Sequence, residues 1–182
     1  MLKSLFKTDK ESALKDLAFV ISGTVLLVAA SKIFIPLKPV PITLQPTAVL
    51  LLALVYNSRR AFQSVLLWIG MGAAGLPVFA GWEPGLPVLL GPTAGYIYSY
   101  LFVTALIPHI REKVEMKGFF FDMALAALAT VITFAMGVAW LSTFVGFEKA
   151  IVLGLMPFII PGIIKAGLLC GALKGIRTYK SE

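Results

Sequence analysis

One cysteine, one histidine and nine acidic residues among 182 positions leave this chain short of the groups most protein chemistry uses. With Cys170 alone, no disulfide can form within the chain, and a lone cysteine in an apolar run reads as a small hydrophobe. His109 is the only histidine, so no pair of histidines or cysteines has metal-ligand spacing; a solvated or headgroup role is expected for it. No serine has a histidine or acidic partner in view. No Gly-x-x-x-x-Gly-Lys-Ser/Thr sequence occurs, which excludes ATP hydrolysis through a phosphate loop. The residues therefore predict neither an enzyme nor a metal or cofactor site.

Charge is scarce as well. Charged residues make up 14% of the chain and hydrophobic ones 59%, whereas a soluble domain averages about 25% and about 45–50%. The composition is that of an integral membrane protein. A bilayer core needs about 20 mostly apolar residues per helix, and six spans are predicted at 16–35, 45–57, 61–80, 94–111, 119–142 and 149–175. The expected fold class is all-α, a single transmembrane domain over residues 1–182 with no internal repeat. Lys3, Lys7, Lys10 and Lys15 precede the first apolar run, and residues 29–31 are small. That run continues to Ile35 toward a spanning length, so it reads as a first transmembrane helix rather than a cleaved leader.

Basic residues set the expected orientation. Placing the N-terminus inside puts Lys3, Lys7, Lys10, Lys15, Arg59, Arg60, Arg111, Lys113, Lys117, Lys174, Arg177 and Lys180 on the cytoplasmic side of a plasma membrane. Lys32, Lys38, Lys149 and Lys165 remain outside or within it. Both termini are then cytoplasmic, and the net charge of +7 reflects topological anchors beside anionic lipid rather than nucleic-acid binding.

The outer connections, 36–44, 77–93 and 142–148, collect the unusual sequence. Residues 35–45 read Ile-Pro-Leu-Lys-Pro-Val-Pro-Ile-Thr-Leu-Gln. Three prolines forbid a helix there and push their preceding residues toward extended geometry. Non-helical backbone at a membrane is tolerated where protein or a water-filled cavity satisfies it, so this segment is either a plain connector or the lid of a binding cavity. The 77–93 connection, with four prolines, three glycines and few charges, reads as a second lid. Residues 91–96, Gly-Pro-Thr-Ala-Gly-Tyr, open the fourth span. Proline favours a helix start, and Thr93 and Tyr96 add hydroxyls beside the free N–H groups.

Lys165 follows Pro157-Phe-Ile-Ile-Pro-Gly-Ile-Ile inside the sixth span. An ionisable residue there is expensive and by default marks a function. It either meets an anionic substrate, most simply a carboxylate, or snorkels to the surface. Gly167, Gly171 and Gly175 form a smooth stripe at four-residue spacing. Close packing against a neighbouring helix of this chain is the expected use, with a partner protein as the alternative. Ala18 and Ser22 make a similar pair in the first span.

Residues 35–45, 75–80 (Gly-Leu-Pro-Val-Phe-Ala), 91–96 and 157–165 together resemble the BioY family, in order and at compatible spacing from residue 12 to the end. These are the membrane-embedded S components of energy-coupling factor (ECF) vitamin transporters. The resemblance implies the six-helix S-component fold and capture of biotin from outside. It also implies partnership with a transmembrane coupling protein and two cytoplasmic ATPase subunits, the former meeting the small-residue face at Ala18 and Ser22. The implied site has Lys165 or the 91–96 turn on polar ligand groups and Phe79, Trp82 and Tyr96 around a ring. Thr43, Gln45 and Thr93 supply hydrogen bonds. One departure bears on the ligand: the family's aspartate three residues before the lysine is Gly162 here, and the asparagine after Pro-Val-Phe is missing from residues 80–82. Burying biotin's ureido groups unpaired costs on the order of 1–3 kcal/mol each, whereas the dithiolane ring of lipoate asks for no partners. Biotin and lipoate both stay open. The rival readings are an ion-driven carrier for a small organic anion, poorly served by acids lying only at helix ends (Asp16, Asp122), and a structural membrane protein without a ligand.

Overall fold

The computed structural model describes residues 2–81, 85–114 and 118–179, with side chains from residue 11 onward. Lys117, Lys180 and Trp82 lie outside the described residues, as do the side chains of Lys3, Lys7 and Lys10. Eight helices and one small hairpin follow in order: α1 (Leu2–Lys32), β1 (Phe34–Ile35), β2 (Ile42–Thr43), α2 (Gln45–Val55), α3 (Ser58–Ala73), α4 (Gly85–Leu90), α5 (Ala94–Lys113), α6 (Phe119–Val145), α7 (Phe147–Gly154) and α8 (Met156–Tyr179). The all-α expectation holds apart from the two-residue strands, which pair antiparallel as Phe34 with Thr43 and Ile35 with Ile42.

Helices cover each of the six predicted segments in part, with altered ends. Three stretches of helix are long and apolar enough to cross a membrane by length and composition, Glu11–Lys32, Phe119–Val145 and Phe147–Tyr179. The second predicted span is the 11-residue α2, too short to cross alone. The third stops at Ala73, because Gly75 turns the chain at φ +91° and Pro77 cannot donate to a helix. The sixth is two helices. Phe158 N–H bonds Leu155 O at 3.0 Å instead of the Gly154 carbonyl, so the ladder breaks there. Within the second outer connection, residues 85–90 form α4.

Packing is apolar on both sides of each helix. Leu27, Leu52, Val65, Trp68, Val103 and Ile107 are fully enclosed in the core. On the outside, Phe102, Ile160 and Leu168 are each more than half exposed, as helices facing hydrocarbon rather than water should be. Helices α1 and α3 meet closely: Thr24 Oγ1 donates to Ser64 O at 3.0 Å, and a Cβ on Gly23 would collide with the Ser64 side chain. The expected intrachain packing of Gly167, Gly171 and Gly175 is not found. A Cβ at any of the three meets nothing within 4 Å, so the stripe faces outward.

Asp122 opens α6 and is 1% exposed. Its two carboxylate oxygens meet Arg177 of α8 at 2.6 Å and Arg111 of α5 at 3.4 Å, tying three helices together at the end away from the hairpin. At the same end Arg60 binds Asp16 at 2.6 Å and stacks on Phe19 at 4.3 Å. His109 is exposed and Cys170 fully buried. Removing one partner of a buried ion pair costs about 3–5 kcal/mol, and both arginines reach solvent here, which favours the lower end. Asp122→Ala should therefore lower the unfolding free energy in SDS titration by about 3 kcal/mol; a loss below about 1 kcal/mol would show the cluster to be ornamental.

Candidate functional site

The hairpin, the start of α5 and the middle of α8 border a partly open cavity of about 830 Å³. The three prolines of residues 36–41 form part of its wall, with Lys38–Pro39 in the cis form. Phe79 and Gly81 form another part, and Ala126 and Ala129 of α6 line it as well. Such a pocket, mostly apolar with a few placed polar groups, is the usual form of a small-molecule site.

Its polar corner is built by the descent of β2 into α2. Thr43 closes the turn that leads into the new helix, its Oγ1 accepting the Gln45 backbone N–H at 3.2 Å and donating to Gln45 Oε1 at 3.3 Å. The carbonyl of Thr43 accepts from Lys165 Nζ at 2.8 Å, so a lysine from α8 is fastened to the end of the hairpin. Gln45 is 6% exposed, and its Nε2 is the one deeply buried side-chain polar atom without a partner among the described residues. An unpaired buried donor costs about 1–3 kcal/mol, and a ligand oxygen would remove that cost. No carboxylate lines the cavity among the described residues, while Lys38 and Lys165 both do. The arrangement suits a ligand rich in acceptors and negative in charge.

Thr43, Gln45, Phe79, Thr93, Tyr96, Gly162 and Lys165 all line this one cavity; Trp82 lies outside the described residues. Their geometry alters several roles. Lys165 faces the cavity, not lipid. Phe79 is 1% exposed and held edge-on to Trp68 at a centroid distance of 4.8 Å, so its ring is fixed before any ligand arrives. The Tyr96 hydroxyl is not offered to a ligand: it donates to Gly154 O at 2.8 Å, taking the carbonyl that the α7–α8 break releases. Its ring lies over Gly137, where a Cβ would overlap it. A Cβ on Gly162 meets nothing within 4 Å, so a longer side chain has room there. Ala18 and Ser22 are exposed on α1, away from the cavity, with Ser22 Oγ 3.0 Å from Tyr56 Oη.

Tyr100 and Thr133 also line the cavity and escaped sequence reasoning. Tyr100 stands four residues after Tyr96 on the same helix face, a signal that was available. Thr133 sits in the middle of the largely apolar α6, where nothing in the sequence distinguishes it from Thr130. Tyr96→Phe should cost about 1–3 kcal/mol of stability through the orphaned Gly154 carbonyl while changing ligand affinity less than about threefold. Thermal unfolding and calorimetry on one preparation measure both; a large affinity loss at unchanged stability would restore the phenol to the ligand.

Residues 4–181 match the BioY family. Among similar proteins, the biotin transporter BioY of Thermotoga maritima is 38% identical over 87% of this chain and 92% of its own length. The probable biotin transporter BioY of Pyrococcus horikoshii is 36% identical over 84% of this chain and 90% of its own length. The crystal structure of the S-component for biotin from an ECF-type ABC transporter superposes with a TM-score of 0.83 at 24% identity, covering 92% of this chain and 93% of that one, and so shares its fold. A transport family, an S-component fold and a mostly apolar cavity agree with one another, and this chain belongs to the BioY family.

Proposed function

We propose that this chain is the substrate-binding component of an ECF-type importer and that it binds biotin in the cavity beneath the hairpin. The observation that carries the reading is the polar corner. Lys165 Nζ and the unpartnered Gln45 Nε2 direct N–H donors into an otherwise apolar pocket, and biotin brings acceptors at both ends, a carboxylate and a ureido carbonyl. The bicyclic ring packs between Phe79 and Tyr96, with Thr93 as a further contact and Thr43 as the residue that orders the corner; Trp82, expected beside the ring, lies outside the described residues. The biotin transporters among its relatives support the same ligand.

The basic residues orient the protein in the plasma membrane with both termini inside and the hairpin outside, so the vitamin enters from the extracellular face. Without a phosphate loop the chain draws on partners: a transmembrane coupling protein seated on the exposed Ala18–Ser22 face of α1, and two cytoplasmic ATPase subunits. The ion-driven alternative loses ground because Asp16 and Asp122 are each paired with arginine, and neither lines the cavity. One observation favours lipoate as a second reading. The open space at Gly162 leaves the ureido N–H groups without a carboxylate acceptor, which a dithiolane ring does not need.

Calorimetric titration of the purified protein with biotin and lipoate side by side decides between them. Biotin should give the larger affinity, and heat from lipoate alone would overturn the assignment. Lys165→Met should weaken biotin binding by about tenfold or more, the value of one charge-assisted hydrogen bond of roughly 1.5–3 kcal/mol. Gly162→Asp, which the open space tolerates, should raise affinity for biotin relative to lipoate; an unchanged ratio would separate Gly162 from ring recognition.

A further inference from the structure

Residues 76–81 leave α3 without joining any helix or strand, yet they supply Phe79, Ala80 and Gly81 to the cavity wall. Their carbonyls are held from outside. Lys32, the last residue of α1, donates from Nζ to Pro77 O at 2.6 Å, Gly81 O at 2.8 Å and Phe79 O at 3.0 Å. The intervening Val78 carbonyl receives Ser31 Oγ at 2.8 Å and Trp68 Nε1 at 3.0 Å. The Pro77, Phe79 and Gly81 carbonyls therefore turn to a single ammonium, while Val78 O turns to the α1–α3 core and Phe79 O also accepts from Ser31 Oγ at 3.4 Å. A lysine meets this demand because its three donors diverge from one point. The planar fork of arginine cannot gather three converging carbonyls in the same way, and an apolar side chain gathers none.

We infer that Lys32 is a positioning residue that holds residues 76–81 closed against the cavity and thereby sets how long a bound vitamin stays. This rests on the ligand reading above. The segment has little hydrogen bonding of its own, chiefly Val78 N–H to Leu76 O at 2.8 Å, so freeing its carbonyls lets Phe79 swing from the wall. Escape from a site walled by such a segment is governed by its openings, and they act on dissociation more than on encounter.

The test uses the full chain in lipid nanodiscs, with biotin as the probe. For Lys32→Met, biotin release measured by chase should accelerate at least about tenfold while association changes less than about threefold. Lys32→Arg, which keeps the charge and part of the donor set, should fall between Lys32→Met and the parent. In the ligand-free protein, amide hydrogen exchange at residues 76 and 78–81 should rise in Lys32→Met, with the central turns of α3 and α5 unchanged. Unaltered exchange in the segment, exchange raised throughout the bundle, or raised exchange without faster release would each overturn the inference. If the parent protein binds no biotin, the ligand reading fails, and the exchange pattern still decides whether Lys32 holds the segment.

Discussion

Backbone carbonyls released from a helix inside a bilayer must find donors within the protein, because hydrocarbon offers none and each orphan costs several kcal/mol. The irregular segments of this fold meet that demand with side chains from neighbouring helices. Lys32, Ser31 and Trp68 take the carbonyls of residues 77–79 and 81. Tyr96 takes Gly154 O, Tyr98 takes Leu89 O at 2.7 Å, and Trp140 takes Gly91 O at 3.0 Å. Lys165 takes Thr43 O at the foot of the hairpin. Non-helical backbone survives in this molecule where a donor from an adjacent helix is already in place.

These donors also shape the cavity. Each one pins a stretch of wall, so the hollow is held open by bonds that exist before any ligand enters, which reduces the ordering that binding must cost. The two atoms left over decide what the hollow can hold. Lys165 spends one of its three N–H donors on Thr43, and Gln45 Nε2 has no protein partner among the described residues. A largely apolar chamber with donors in one corner favours an amphipathic, acceptor-bearing ligand over a purely apolar one, and the described lining holds two lysines and no carboxylate.

Several parts of this arrangement were legible in residues 35–45, 91–96 and 157–165. Proline fixes φ and removes a donor wherever it stands, so the interruptions at 36–41 follow from chemistry local to the chain, and a lysine inside an apolar span was marked as unusual without its direction being given. Tyr100 was legible in principle through its spacing from Tyr96. The outward face of Gly167, Gly171 and Gly175 was not, because a small-residue stripe states that something approaches closely and says nothing about which surface does so. The role of Tyr96 was hidden for a related reason. Its hydroxyl is matched to a carbonyl 58 positions away, one that is free only because α7 and α8 fail to join.

Composition and the placement of prolines and charges, by themselves, determined that this is a helical membrane protein whose prolines gather in the connections on one side and most of whose basic residues lie on the other. Those properties arise from transfer free energies and from backbone geometry, which act residue by residue. Only the tertiary structure decided that Lys32, Tyr96 and Lys165 serve distant carbonyls, that Gln45 keeps a donor in reserve, and that Gly162 opens onto space. Those outcomes depend on which helix lies beside which, and hydrogen-bond partners separated by dozens of residues leave no periodic or compositional trace along the chain.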